Sequence, residues 1–460
     1  MSGWWRRPSD FHKERQCRVF NLSFGNEDEQ YRGGRQFPLA EKLDQLAREL
    51  DIVIVVAVVN ASSVAIPEGT ETRDAFQRAT VEQLRTGDQR LCNPATAALA
   101  LTVGAIARSD ALGNQDAGEV ALQDGIPGAP RGAPSPFTRT GPGYELDPRK
   151  AAVKPDLVHF GGNAALQVIA GRARWNTRHV LLGEPTIRRE ENGRFVGAVT
   201  GTSFSTPHVS HLAAVAASSL QSALGRAPSA NVIRALLGST AAAPPCGTEW
   251  IGDEDAYLRL VGYGMPNDRD VTASGAQRVR AVADDAIPED TLHIYRVPVP
   301  ESFLAERGHR GLVVSLAFDP PVRASRKEYL ARTMWVEVLQ GVTTAEVEQF
   351  RGRYIGDDAP RLPGGGALAL RPPRTKLQWS TLQVRALKWS RRPQLRIAEG
   401  EETPVLHIVV GCQRRFATGL ADSQRYGLVI GFWHESERVQ LYTELQARVR
   451  VPATRARVRV

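Results

Sequence analysis

A serine stands at the head of a long run of small, uncharged residues. The run reads Gly201-Thr202-Ser203-Phe204-Ser205-Thr206-Pro207-His208-Val209-Ser210 and continues His211-Leu212-Ala213-Ala214-Val215-Ala216-Ala217, with no Lys, Arg, Asp or Glu before Arg226. This composition predicts a buried helix opening at the Gly-Thr-Ser turn. Free backbone N–H groups and the positive end of the helix dipole can stabilise an oxyanion that forms beside a hydroxyl placed there. Ser203 is therefore a candidate nucleophile; the same position also suits a serine that only caps the helix. A second candidate is Asn60, which ends the apolar run Ile52 to Val59. Open α/β sheets place their ligand crevice at such strand ends, although Asn is also an ordinary turn residue there.

The longer string favours chemistry. Gly-Thr-Ser, a Pro four residues after the Ser, then His-Val and an Ala-rich helix resemble the nucleophile segment of the subtilisin-like serine proteases, the subtilases. The resemblance implies that Ser203 is the nucleophile of a serine endopeptidase acting on a protein or peptide substrate, with no cofactor. It also implies that the Asn60 side-chain amide donates to the oxyanion, although Val59 stands where the family usually has Gly. Ser23-Phe24-Gly25 resembles the strand-end segment whose backbone pairs with substrate. Asn93-Pro94-Ala95 through Val103-Gly104-Ala105, Lys154-Pro155-Asp156 through Gly161-Gly162, and Gly262-Tyr263-Gly264 resemble further family segments in order. The resemblance covers roughly residues 18 to 280.

These residues need a scaffold, and the pattern supplies one. Arg18 to Gly25 predicts a strand ending in a Gly turn. Leu39 to Leu50 carries apolar residues at helical spacing, and the β-branched run Ile52 to Asn60 suits a strand buried on both faces of a parallel sheet. Strand, helix, buried strand is a βαβ unit. Leu99 to Ala107 predicts another buried strand, Ser229 to Leu237 an amphipathic helix and His179 to Leu182 a short strand. The Gly-, Pro- and Ala-rich stretch from Gly113 to Pro148 predicts a mobile surface insertion.

Beyond about residue 285 the texture changes to short strands with turn residues between them, among them Leu292–Val299, Gly311–Phe318, Trp335–Leu339, Val405–Val410, Tyr426–Trp433 and Ala447–Val451. The aromatic residues between Leu377 and Trp389 suit either core packing or a binding face. The fold class expected is α/β, a subtilisin-like, mostly parallel sheet flanked by helices, followed by a β-rich, sandwich-like C-terminal domain. The corresponding domains are a partial subtilase domain over 1–285 and an accessory domain over 290–460.

A Ser-His-Asp centre needs a His base and an Asp to orient it. In subtilases both precede the strand that corresponds to Val19-Phe20-Asn21-Leu22. Here only Asp10 and His12 stand close before it, and they fit neither family motif; His208 and His211 follow the nucleophile, and His159 reads as structural. Three readings stay open: a piece of a longer protease, a separate upstream polypeptide that supplies Asp and His, or a non-catalytic relative that binds or scaffolds.

Composition narrows the classes. Over 460 residues, 42% hydrophobic and 23% charged content describes a globular chain. No apolar run reaches the roughly 18 to 20 residues of a spanning helix, so no membrane partner is expected. Met1 to Pro8 lacks a hydrophobic signal core, and a cytoplasmic location is expected. Cys17, Cys92, Cys246 and Cys412 form no CxxC pair, which argues against a zinc site or a disulfide scaffold. The net charge of +8 is spread among acidic residues, and no nucleic-acid motif accompanies it. Nucleic acid is not an expected partner, and no metal-ligand cluster stands out.

Overall fold

A computed structural model describes residues 16–62, 64–68, 72–85, 89–111, 125–147, 150–170, 172–187, 195–272, 275–349, 366–419 and 423–448. The chain divides into two units. The first comprises residues 1–218, 240–268 and 324–327, and the second comprises 219–239, 269–323 and 328–460.

The first unit is built on a four-stranded parallel sheet. Strand β1 is Val19–Leu22 and β2, outside the sheet, is Asn26–Gln30; helix α1 is Pro38–Leu50 and β3 is Val53–Ala57. After α2 (Arg73–Gln83) and the short β4 (Cys92–Asn93) come β5 (Leu101–Ile106) and β6 (Leu157–Phe160). The sheet order is β1-β3-β5-β6, with Val19 opposite Val53, Val55 opposite Leu101 and Val103 opposite Leu157. Every residue of β3 is buried. A strand covered on both faces gains from an unbroken β-branched run and needs no alternation, as the sequence indicated.

Helix α1 starts with Pro38 in its first turn, where no N–H is missed, and ends at Asp51 in a left-handed conformation. Its apolar face, with Ala40, Leu43 and Ala47, packs on Ile54, Val56 and Leu99. Asp44 is buried on the same helix. Its carboxylate accepts the N–H groups of Ala98 and Leu99 at 2.9 and 2.7 Å, fixing the turn that feeds β5. Behind the sheet, Lys154 and Asp156 form an ion pair at 2.5 Å with both side chains 2% exposed. The ammonium also donates to the Ala100 carbonyl at 2.6 Å, and the carboxylate accepts from the Thr102 N–H at 2.8 Å. A buried pair of this kind is held by its extra hydrogen bonds as much as by its charges.

Two sequence expectations change here. His179 to Leu182 forms a turn, and the neighbouring hairpin is β7 (Glu184–Ile187) with β8 (Val196–Val199). The stretch 125–147 is no mobile surface insertion: Ala129, Ala133, Ser135, Thr138, Thr140 and Tyr144 are buried. Its small residues let the backbone pack closely against the sheet. Residues 113–124 and 148 of that expectation lie outside the described residues.

From β8 the chain enters α3 (Thr202–Leu224) and α4 (Ala230–Thr240). Helix α4 falls largely in the second unit, with Asn231 donating to Asp319 at 3.0 Å and Arg234 donating to Thr381 at 2.7 Å. The second unit is two antiparallel sheets. Strands β9 (Arg278–Pro288), β10 (Thr291–Pro298), β11 (Arg310–Phe318), β12 (Arg332–Gln340), β13 (Leu382–Trp389), β14 (Val405–Arg414) and β15 (Ser423–His434) are ordered β9-β15-β11-β13 and β10-β14-β12. Inward residues of both, such as Leu312, Val336, Ile408 and Phe432, share one core, the arrangement of a β-sandwich. The segment expected as a strand at Ala447–Val451 begins instead inside the helix Leu441–Arg448, and residues 449–451 lie outside the described residues. Trp379 is 2% exposed, a core position, with the Arg415 guanidinium 4.9 Å from its ring centre. The fold class is therefore the one expected, a parallel α/β unit together with a β-rich unit.

Candidate active site

Three parallel strands deliver their C-terminal ends to one turn. Gly201, Thr202 and Ser203 each hold a different one. The Gly201 N–H donates to the Gly161 carbonyl at 2.9 Å, just beyond β6. The Thr202 N–H and hydroxyl donate to Asn60 Oδ1, beyond β3, at 2.9 and 3.1 Å. The Ser203 hydroxyl donates to the Ser23 carbonyl, beyond β1, at 3.0 Å. Strand ends of an open parallel sheet are where such folds build their crevices. Ser203, Asn60 and Ser23 are thus brought together, from positions far apart in the chain.

Helix α3 has Pro207 within it. Proline has no N–H, so the carbonyl four residues earlier, that of Ser203, loses its helical donor. The Ser23 hydroxyl turns to that carbonyl at 3.4 Å, making a two-way clasp between Ser23 and Ser203. Asn21 donates to the Ser23 hydroxyl at 2.9 Å and accepts from Ser210 at 3.1 Å, extending the clasp along the helix. Thr206 and Ser205 hydroxyls accommodate the first turn by donating to the Thr202 carbonyl at 2.7 and 2.8 Å.

Asn60 is fixed from behind by the segment misread as an insertion. The Ala61 N–H donates to the Phe137 carbonyl at 2.8 Å, and Arg139 Nε donates to the Asn60 carbonyl at 3.3 Å. Since Oδ1 takes the Thr202 donors, Asn60 Nδ2 is left without an acceptor among the described residues. Gly201 has φ +157°, and a Cβ there would lie 3.1 Å from Asn60 Nδ2, so a side chain at 201 would crowd the amide.

Val59, where the resemblance leads one to expect Gly, adopts φ +75°. A β-branched residue in that region is strained by roughly 1–3 kcal/mol and persists only when its surroundings hold it. Gly25 supplies the room: a Cβ on it would fall 2.2 Å from Val59 Cγ2 and 2.9 Å from the Asn93 carbonyl. The glycine and the valine have complementary shapes across the gap between the β1 and β3 ends. Phe24, between Ser23 and Gly25, is 58% exposed, so its ring faces solvent.

His159 has a partner that the sequence did not reveal. Its ring stacks on that of His208 with centres 4.3 Å apart and planes 15° apart. His159 Nδ1 accepts the Phe160 N–H at 2.9 Å, which leaves the proton on Nε2. Burial, with the charge of His208 adding to it, pushes the His159 imidazole down to about 3. His208 and His211 are exposed on α3. Among the described residues, no imidazole hydrogen-bonds the Ser203 hydroxyl. Asp10 and His12 lie outside the described residues.

The family sequence model of the subtilases matches residues 6–264, more than half of the chain. The chain belongs to the subtilase family. This subtilase is 30% identical over 443 residues to the uncharacterised protein y4bN of Sinorhizobium fredii, a match spanning 94% of this chain and 96% of that protein. Among solved structures it is similar to the prenylagaramide maturation protease PagA, at 21% identity and TM-score 0.31, over 57% of this chain and 63% of the other. A lanthipeptide protease is similar at 14% identity and TM-score 0.32, again over 57% of this subtilase and 63% of that chain. The matched part thus spans less than two thirds of either solved chain.

The sequence singled out Ser203 and Asn60, and the resemblance the Ser23-Phe24-Gly25 segment; the structure brings Ser203, Asn60 and Ser23 to one turn, with Asn21, Ser210 and the support from Phe137 to Arg139, which the sequence did not point to. One signal was present. Pro207 inside a helix marks the carbonyl four residues back as needing an outside donor.

Proposed function

We propose that this subtilase is a serine endopeptidase in which the Ser203 hydroxyl attacks the scissile carbonyl of a peptide or protein substrate. Asn60 Nδ2 and the N–H groups at the start of α3 then receive the oxyanion, and the Ser23-Phe24-Gly25 backbone seats the substrate. The observation that carries this reading is the pairing at one turn of a helix-start serine with an amide whose donor end is free. The base and its orienting acid are not found around Ser203 among the described residues. In this reading they come from residues preceding β1 or from a separate polypeptide. The hydroxyl rests on a carbonyl, which can accept a hydrogen bond but cannot take the proton at neutral pH. An oxyanion hole and substrate binding alone leave about 10³–10⁴-fold acceleration over water.

The purified chain should therefore cleave a fluorogenic peptide barely above background. Addition of an upstream segment that carries Asp and His, in cis or in trans, should restore cleavage, and Ser203→Ala should abolish it. Ser203-dependent turnover by the chain alone would show that its base lies elsewhere. The carbonyl-bound hydroxyl also suits a second reading, a non-catalytic subtilase that binds peptides. Failure of every upstream supplement, together with retained peptide binding by Ser203→Ala, would favour that reading.

A further inference from the structure

Exposed apolar side chains are concentrated in one stretch of the first unit. Of the eleven large hydrophobic residues exposed among the described residues, six are Val168, Val180, Leu181, Ile187, Phe195 and Val196. Single exposed apolar residues are ordinary, but a concentration of them marks a contact surface. They belong to two consecutive hairpins, Ala165–Ile169 paired with Arg172–Asn176 and β7 paired with β8, and to the turn between them. The hairpins are joined at their bases. The Asn163 N–H donates to the Leu182 carbonyl at 2.8 Å, the Thr200 hydroxyl donates to the Thr177 carbonyl at 3.1 Å, and the buried Ala165 and Leu182 pack together. Exposure rises outward from there. The outermost described pair of β7 and β8, Ile187 opposite Val196, is 92% and 66% exposed, and Phe195 next to it is 70% exposed. Residues 188–194 lie outside the described residues and by sequence add three Arg and two Glu.

The charge of the same stretch says what would cover it. Its exposed charged side chains among the described residues are Arg172, Arg174 and Arg178, and none of the three takes part in an ion pair there. The one described carboxylate between residues 164 and 200, Glu184, is 7% exposed and already paired with Arg108 at 2.8 Å. Apolar ends beside free guanidinium groups match an anionic lipid surface. Ile, Val and Phe enter the boundary between headgroups and acyl chains, while each Arg lays its stem along them and meets phosphate with its planar fork. The same features disfavour a protein in that place. A second copy docked face to face would set three Arg against three Arg. A globular partner would need a hollow to receive an outstanding hairpin end, whereas lipid fits around any shape.

We propose that these two hairpins dock the chain on an anionic phospholipid membrane, with Ile187, Phe195 and Val196 entering the bilayer and Arg172, Arg174 and Arg178 meeting its phosphates. Such docking needs no spanning segment, and among the described residues no helix is long and apolar enough to cross a membrane. The surface lies close to the candidate site. Strand β8 runs directly into the Gly201-Thr202-Ser203 turn, and the seven residues from Val196 to Ser203 reach at most about 25 Å. A docked chain would therefore hold that turn beside the bilayer.

The test is co-sedimentation of the full chain with vesicles of phosphatidylcholine alone or mixed equally with phosphatidylglycerol. At 0.1 M salt the chain should bind the anionic vesicles on the order of 100-fold more tightly, and 0.5 M salt should remove most of that preference. R172Q/R174Q/R178Q should lose the preference, whereas R172K/R174K/R178K should keep it. I187S/F195S/V196S should weaken binding to the anionic vesicles by about tenfold or more, and F195S alone by about threefold. All these side chains are exposed, so unchanged melting curves are expected, and F195S serves if the triple variant fails to fold. No binding to anionic vesicles, or binding untouched by the Gln variant, would overturn the proposal. Binding untouched by the Ser variants would reveal a surface that takes any polyanion, and would overturn it too. So would a dimer, seen by sedimentation velocity without lipid, that the Ser variants dissolve, since the face would then belong to a second copy. Ser203→Ala should bind vesicles as the parent does, so the docking surface and the nucleophile stand or fall separately.

Discussion

Acidification should destabilise the first unit through one buried ring. The His159 imidazole is 5% exposed, stacked on His208, and pushed down from 6.5 to about 3. Its folded-state value lies below its unfolded one. Between pH 6.5 and pH 3 the unfolded chain therefore holds a proton at His159 that the folded chain does not, and stability falls as pH falls across that window. The slope approaches about 1.4 kcal/mol per pH unit, and integration from pH 7 to pH 4 gives a loss of about 3 kcal/mol from this residue alone. His159→Gln removes the titration while keeping an acceptor for the Phe160 N–H. It should cost about 1–2 kcal/mol at pH 7, for the lost stack and contacts. It should also lessen the loss between pH 7 and pH 4 by about 3 kcal/mol relative to the parent. The assay is native-state hydrogen exchange at the β6 amides Leu157 to Phe160, which reports opening of the sheet unit without requiring the whole chain to unfold in one step. His208→Gln should shift the acid response in the same direction by less, because burial is the larger cause and the neighbouring charge the smaller. If His159→Gln loses as much stability as the parent on going to pH 4, the buried ring is not what the acid attacks and the reasoning fails.

Other perturbations follow from the same structure. Asp156→Ala takes the carboxylate from a pair whose members are each 2% exposed and should cost about 3–5 kcal/mol by urea denaturation, whereas Lys154→Met with Asp156→Leu should cost much less. Gly25→Ala drives a Cβ into Val59 Cγ2 and to 2.9 Å from the Asn93 carbonyl and should cost about 1–3 kcal/mol; Val59→Gly in the same chain should recover only the part due to the valine, which a double-mutant cycle will measure. In a preparation whose cleavage has been restored, Asn60→Ala should lower kcat by about 10²–10³ with little change in KM, since its amide is to act only on the charged intermediate. A loss confined to KM would refute that role.

How much of this was legible beforehand depended on whether the signal was local. The β3 run and the α1 period announce themselves because burial on both faces, or on one face of a helix, writes its pattern into consecutive residues. The stretch 125–147 misleads for the opposite reason. Gly, Pro and Ala usually mark exposed connections, but their small size also lets a chain lie flat against a sheet. There Ser135 donates to the Gly162 carbonyl at 2.6 Å and Thr138 accepts from the Ala105 N–H at 3.0 Å, so the buried polar groups are satisfied by distant backbone. No periodicity records such bonds. His159 likewise meets His208 only because β6 and α3 come together.

The site itself lies between these cases, and Pro207 shows why. Its effect on the helix is local and calculable: the Ser203 carbonyl must find another donor. What the sequence does not disclose is the donor's identity. Ser23 could serve only once β1 and α3 were brought side by side, and its hydroxyl then meets the open carbonyl while its own carbonyl receives the Ser203 proton donor. The nucleophile candidate is thus held by the strand end expected to carry substrate. A peptide that pairs with Ser23-Phe24-Gly25 would bear directly on the hydrogen bond of the Ser203 hydroxyl, so substrate seating and release of that hydroxyl would be one event. Ser23→Ala would keep the carbonyl acceptor and remove the clasp on the Ser203 carbonyl together with the acceptor of the Asn21 amide. It should therefore loosen the first turn of α3, read as faster exchange of its amides, without removing the hydroxyl's resting partner.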